Sequence, residues 1–143
     1  LNIKVCCIIG YLNKRKKEIK DICKKSEGMI KFFEPKKKID RFINESRFAI
    51  ISVGLTSYET IFFNIPSLFI PIKKIDIKLA QYFESMKLGI ASPYFKDLNY
   101  LILKNKVENL TKRNRLFFIK KKIIDGKGLK RVINILQREY ENS

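Results

Sequence analysis

Four short apolar runs, each closed by a glycine or proline and each followed by a longer stretch of helical period, leave this chain few architectures to choose from. Ile3 to Ile9 (IKVCCII) is closed by Gly10, Met29 to Phe33 (MIKFF) ends before Pro35, Phe48 to Ser52 (FAIIS) is turned by Gly54, and Ser67 to Ile70 is stopped by Pro71. Continuous apolar runs rich in Ile, Val and Phe are those of strands buried on both faces. Alternating with amphipathic stretches, they specify βα units: an α/β fold, a Rossmann-like parallel sheet with helices on both faces, with Ile3 to Ile9 and Phe48 to Ser52 as the central strands. Ile90 to Ala91 adds a short fifth strand. The intervening pattern predicts a helix capped by Asn13 and running to Lys25, with Ile19, Ile22 and Cys23 on one face. Further helices are predicted over Lys37 to Glu45 (Ile39, Phe42 and Ile43 inward), Thr56 to Asn64, and Asp76 to Leu88 with Gly89 as C-cap. The C-terminal part reads as helical over Lys96 to Leu103, Val107 to Lys112, Arg115 to Ile124, and Leu129 to Tyr140, the last with Val132, Ile133, Leu136 and Tyr140 inward. No repeat or low-complexity linker interrupts the pattern, so residues 1–143 are expected to form one domain.

Composition narrows the function. With 31 Lys and Arg against 14 Asp and Glu, the chain carries +17. Such an excess suits an anionic partner, nucleic acid or membrane. The cations are scattered, however, in runs such as Lys14 to Lys17, Lys36 to Lys38 and Lys120 to Lys122, without the interleaved aromatics of a stacking platform. Abundant Lys, Ile and Asn with Ala only at positions 49, 80 and 91 is the bias of an AT-rich genome. The lysines are therefore expected to be solvated faces, with no nucleic-acid partner. The absence of His removes the commonest general base and zinc ligand. Cys6, Cys7 and Cys23 have no metal-site spacing and read as buried free thiols in a reducing compartment. No apolar run is long enough to span a bilayer and no signal peptide is evident, so a cytoplasmic location is expected, with no metal and no cofactor.

The informative stretch is Ala49 to Pro71, AIISVGLTSYETIFFNIPSLFIP. A buried strand ends in a glycine turn and a helix follows at once. In an open parallel sheet, ligands sit at the carboxyl ends of strands, where a helix N-terminus offers free N–H groups and a positive dipole end to a diphosphate. Gly54 allows close backbone approach, and Glu59, one turn into the helix, can accept hydrogen bonds from a ribose diol. A second reading stays open: Thr56-x-x-Glu59 is also the pattern of a capping box.

Strand, Ser-x-Gly-x-[ST]-x-x-Glu, short helix, then Ile-Pro-Ser and an apolar strand ending in proline resembles the signature of the GT-B-fold nucleotide-sugar enzymes. In particular it resembles the C-terminal domain of the UDP-diacetamido-trideoxy-altropyranose hydrolases of pseudaminic acid synthesis, and it is similar to the N-acetylglucosaminyltransferases that act on lipid II. The likeness extends to Gly10 with Asn13 shortly after, and to Asp125-Gly126-Lys127-Gly128 followed by Arg131-Val132. The resemblance implies that Gly54, Thr56 and Ser57 hold the diphosphate of a UDP-linked amino sugar and Glu59 its ribose. It also implies that Ile9 and Gly10 border the nucleotide and that Asn13 lines the cleft; Asn13 as a plain helix cap, and Asp125 to Gly128 as a helix stop and cap, remain alternatives. Where the family carries an Asn-Gln or Gln-Gln pair, this chain has Lys73-Lys74-Ile75-Asp76-Ile77-Lys78, and Lys78 falls at the family Gln. The family's proposed base, a His, belongs to an N-terminal domain outside this chain. The resemblance thus implies a UDP-sugar-binding domain with no catalytic residue of its own, binding without turnover. A transferase domain of the same fold is the enzyme alternative; a basic nucleic-acid module is the alternative of another class.

Overall fold

The computed structural model describes residues 3–35, 39–112 and 123–141. The helix expected over Arg115 to Ile124 falls mostly outside these residues, as do the Lys36–Lys38 and Lys120–Lys122 runs. The chain divides into two compact units, Leu1–Phe42 and Ile43–Ser143.

The first unit holds β1 (Val5–Ile8), α1 (Lys16–Lys25) and β2 (Ile30–Phe33). β1 and β2 run parallel, with Val5 opposite Ile30 and Ile8 opposite Phe33. α1 starts directly after an Asx turn, in which the Asn13 carboxamide oxygen accepts the Arg15 N–H at 2.8 Å. Asn13 is therefore a turn residue ahead of the helix, not its cap. Arg15 also pairs with Glu18 one turn on. The chain leaves α1 through Glu27 and Gly28, both at positive φ. The expectation that β1 is buried on both faces is corrected: Val5 and Cys6 are exposed, Cys7 is half-buried and only Cys23 is fully buried. Successive strand residues point to opposite faces. Cys7 points at Cys23 of α1, while Cys6 turns away. Burial, and for Cys7 also the neighbouring Cys23, pushes the Cys6 and Cys7 thiols up from their ordinary value.

A short helix, α2 (Asp40–Asn44), leads into the second unit, whose order is β3 (Ala49–Ser52), α3 (Leu55–Phe62), β4 (Ser67–Ile70), α4 (Asp76–Ser85), β5 (Gly89–Ala91), a 3-10 turn (Phe95–Asp97), α5 (Tyr100–Lys112) and α6 (Gly128–Glu141). β3, β4 and β5 form a parallel sheet in that order, Ser52 opposite Ile70 and Phe69 opposite Ala91. The α/β class with parallel strands and flanking helices is thus present, but in two sheets. β1 and β3 are not the paired centre of one sheet; within the second sheet β4 is central. The alternation along β4 explains why. Phe69 packs with Ile61 of α3 and Ala80 and Phe83 of α4 on one face, and Leu68 with Ile90 and Leu110 of α5 on the other. Both are 0% exposed, whereas β3 leaves Ile50 open to solvent.

α3 and α4 end alike. Ile65 N–H reaches the Thr60 carbonyl at 2.8 Å and Leu88 N–H the Phe83 carbonyl at 3.0 Å, each closing a six-residue loop over a left-handed residue, Asn64 (φ 55°) and Lys87 (φ 58°). Gly89 is accordingly not the C-cap of α4 but the first residue of β5. Its glycine identity has another cause: a Cβ there would lie 2.0 Å from the Ser67 carbonyl oxygen. In the C-terminal part, Asn99 caps a single α5 by accepting the Ile102 N–H at 2.9 Å, so Lys96 to Leu98 lie ahead of the helix and no break separates Leu103 from Val107. The expectation that α6 turns Val132, Ile133, Leu136 and Tyr140 inward is also corrected. All four are exposed and no residue of α6 is buried. Among the described residues no helix is long and apolar enough to cross a membrane.

Candidate functional site

The turn from β3 into α3 lies at the carboxyl edge of the parallel sheet. Val53 N–H donates to the Ile70 carbonyl at 3.1 Å, which ties this turn to the end of β4. Gly54 precedes the helix with φ 168° and ψ −156°, an extended conformation open to any residue. An added Cβ at Gly54 would meet nothing within 4 Å. Neither conformation nor packing of the chain therefore demands glycine here, and the space over its backbone is open.

Ser57 organises the turn. It is wholly buried, its hydroxyl accepts the Gly54 N–H at 3.2 Å, and its own N–H donates to the Gly54 carbonyl at 3.1 Å. The hydroxyl also points at the Ser52 carbonyl at the end of β3, 3.5 Å away. The capping pair is thus Gly54 with Ser57, two residues ahead of the Thr56–Glu59 box that the pattern also allowed. The helix begins at Leu55, which puts Thr56 at its second position and Glu59 beyond the first turn. With the Ser57 hydroxyl occupied, the donors left at this end are the Leu55 and Thr56 N–H groups, which no intrahelical carbonyl can satisfy. Glu59 is half-buried, and among the described residues its carboxylate has no hydrogen-bond or ion-pair partner.

One strand over, β4 delivers the chain through Pro71 into an exposed segment, Ile72 to Ile75, and then α4. The Asp76 carboxylate accepts the Lys73 N–H at 3.0 Å, while Lys73, Lys74 and Lys78 are exposed. Leu55 and Ile75, at the starts of the two helices, are 85% and 80% exposed. The two turns bring Gly54, Thr56, Ser57 and Lys78 to the same edge of one sheet. The sequence pattern did not single out Leu55, and the signal for it was faint: an apolar residue between the turn glycine and the Thr-Ser pair, with no periodic partner.

Gly10 and Asn13 belong to the first unit. Asn13 N–H donates to the Gly10 carbonyl at 3.1 Å, closing a turn after Ile9, which is buried. Gly10 is exposed with open space where a Cβ would stand. The Asp125 to Gly128 motif is accounted for by the fold. Asp125 accepts the Lys127 N–H and forms a two-point pair with Arg131, at 2.7 and 3.2 Å. At Gly126, with φ 72°, an added Cβ would press on the Phe62 ring at 3.2 Å. The Arg131 guanidinium, then the Lys127 N–H, hold the Asp125 carboxyl down at about 2.

Among the described residues no three His, Cys, Asp or Glu side chains gather as metal ligands. Shallow grooves run along α1 and α6. No protein-family model, curated protein or solved structure matches this chain.

Proposed function

We propose that the β3–α3 turn binds the diphosphate of a UDP-linked amino sugar, and that the chain is the nucleotide-sugar-binding domain of a GT-B-type hydrolase. The observation that carries the reading is Gly54: a glycine the fold does not need, with open space above it, at the carboxyl end of a parallel strand and directly before a helix whose Leu55 and Thr56 N–H groups no intrahelical carbonyl can satisfy. The unpartnered carboxylate of Glu59, one turn on, is the acceptor for the ribose hydroxyls. The family resemblance supplies the uridine nucleotide and the hydrolase assignment; the three free thiols suit a reducing cytoplasm. Among the described residues no general base with an orienting partner accompanies the turn, and on this reading the chain binds and does not turn over.

Glu59 gives the test. A carboxylate accepting from two hydroxyls makes charge-assisted bonds, each worth about 1.5–3 kcal/mol before desolvation. Glu59→Gln should weaken UDP binding about tenfold or more in calorimetric titration and leave the melting temperature unchanged, since the Glu59 carboxylate takes no part in the helix caps. Equal UDP affinity in the two proteins would remove Glu59 from the site.

A further inference from the structure

We propose that the exposed apolar stripe of α6 is a self-association surface, on which a second copy of this chain lays its own α6 antiparallel; the inference is independent of the nucleotide-sugar reading. The root of the helix is fixed. Ile124 packs against the core cluster of Ile61, Phe69 and Phe83, and Asp125 holds Arg131 in the first turn. Beyond that root, Leu129 and Leu136 are 74% and 63% exposed, with Val132 and Ile133 open beside them. A helix of 14 residues is marginal in water by itself and draws its stability from covering its apolar side. Its charges add to the need. Lys130 stands in the first turn, and Glu139 and Glu141 accompany Arg138 in the last, so that all three run against the helix dipole.

The same charges name the occupant. Lys130 and Glu141 are three turns apart, which puts both on one flank of the stripe. In an antiparallel two-fold pair that flank faces its own copy. Lys130 of each chain then meets Glu141 of the other, twice by symmetry, with Leu136 next to the axis. The shallow groove bordered by Ile133, Leu136, Gln137 and Glu141 lies along this flank and receives the facing side chains. Two copies of a chain carrying +17 repel over most of their surface. α6 is the place for them to meet, because Lys130, Arg131 and Arg138 against Glu139 and Glu141 leave it only +1. An anionic bilayer fits the stripe less well: Glu139 and Glu141 stand on its two margins, and acidic headgroups repel both. The contact is one helix wide and about 21 Å long, short of the roughly 800 Å² per partner of a standard interface, so the dimer is reversible.

The test is analytical ultracentrifugation of the whole chain over a range of concentrations, with charge-swapped variants alongside. The parent should pass reversibly from monomer to dimer through the micromolar range. Lys130→Glu and Glu141→Lys each set like charges opposite one another twice, and each should weaken the dimer about tenfold or more. Both substitutions suit the helix dipole, so the loss does not come from a weakened helix. An equal mixture of the two variants restores opposite charges at both contacts and should dimerise as the parent does. Leu136→Lys, which sets two cations beside the axis, should leave the chain monomeric with an unchanged melting temperature. A parent that stays monomeric through the micromolar range would overturn the proposal. So would a dimer that Leu136→Lys leaves intact, which would place the contact on another surface. A mixture no better than the single variants would overturn the antiparallel pairing.

Discussion

Ser57 and Thr56 are adjacent in the β3–α3 turn, yet only the Ser57 hydroxyl is buried and bonded to the Gly54 N–H. Ser57→Ala should therefore cost about 1–2 kcal/mol in denaturant unfolding, the loss of a cap with its N–H left short of a partner. Thr56→Ala, at a helical position that suits alanine, should stay within about 0.5 kcal/mol. The reverse order would restore the Thr56–Glu59 box. The sequence contains both pairings at the same three-residue spacing, and where β3 delivers the chain decides between them; that is tertiary information no local pattern holds. Asp125 illustrates the opposite case, a residue whose short-range partners are close in sequence. Its carboxyl, held at about 2 by Arg131 and the Lys127 N–H, lies below the ordinary value of about 3.9. The stabilisation from this pair is therefore complete above about pH 4 and is lost as pH falls through about 2. Carboxyl-carbon NMR should place the Asp125 midpoint near 2, moving up to the ordinary range in Arg131→Gln; an unshifted midpoint in the parent protein would show that the pair does not form in solution.

The elements were read from the sequence best where both ends carry a chemical stop. β4 lies between Pro66 and Pro71 and runs over the expected Ser67 to Ile70 without a change. A glycine close to a helix end is usually its C-cap, whereas at the end of α4 Lys87 takes the left-handed position and Gly89 serves strand packing. Two substitutions separate these roles. Lys87→Gly should stabilise the chain by up to about 1 kcal/mol by relieving a left-handed non-glycine residue. Gly89→Ala should cost about 1–3 kcal/mol or more, since its methyl collides with backbone; a neutral Gly89→Ala would show that β4 and β5 are not so closely apposed. α6 shows the limit of periodicity. Leu129, Val132, Ile133, Leu136 and Tyr140 form a proper apolar stripe, and the pattern establishes a helix with one apolar side without saying what faces it.

For the molecule as a whole, the alternation of apolar and amphipathic runs established the α/β class and the parallel direction of the strands. It did not establish which strands pair. Ile3 to Ile9 is the longest apolar run, but length does not fix neighbours; burial of both faces falls instead on the four residues of β4, covered by α3 and α4 on one side and α5 on the other. Of the candidate site, the glycine turn and its place at a strand's carboxyl end were legible, because strand, glycine and helix start follow one another in sequence. The burial of Ser57 and the exposure of Leu55 and Ile75 were not, since they depend on how the two helices seat on the sheet. If the open space above Gly54 belongs to a diphosphate, Gly54→Asp must close it to the ligand. Aspartate is a better N-cap than glycine and complements the helix dipole, and the backbone at this position suits any residue. UDP titrated calorimetrically into the parent chain should bind saturably, and Gly54→Asp should weaken that binding at least tenfold, about 1.4 kcal/mol, while its melting temperature holds or rises. Undiminished UDP binding by a well-folded Gly54→Asp variant, or no UDP binding by the parent chain, would contradict the assignment of this turn to a nucleotide sugar.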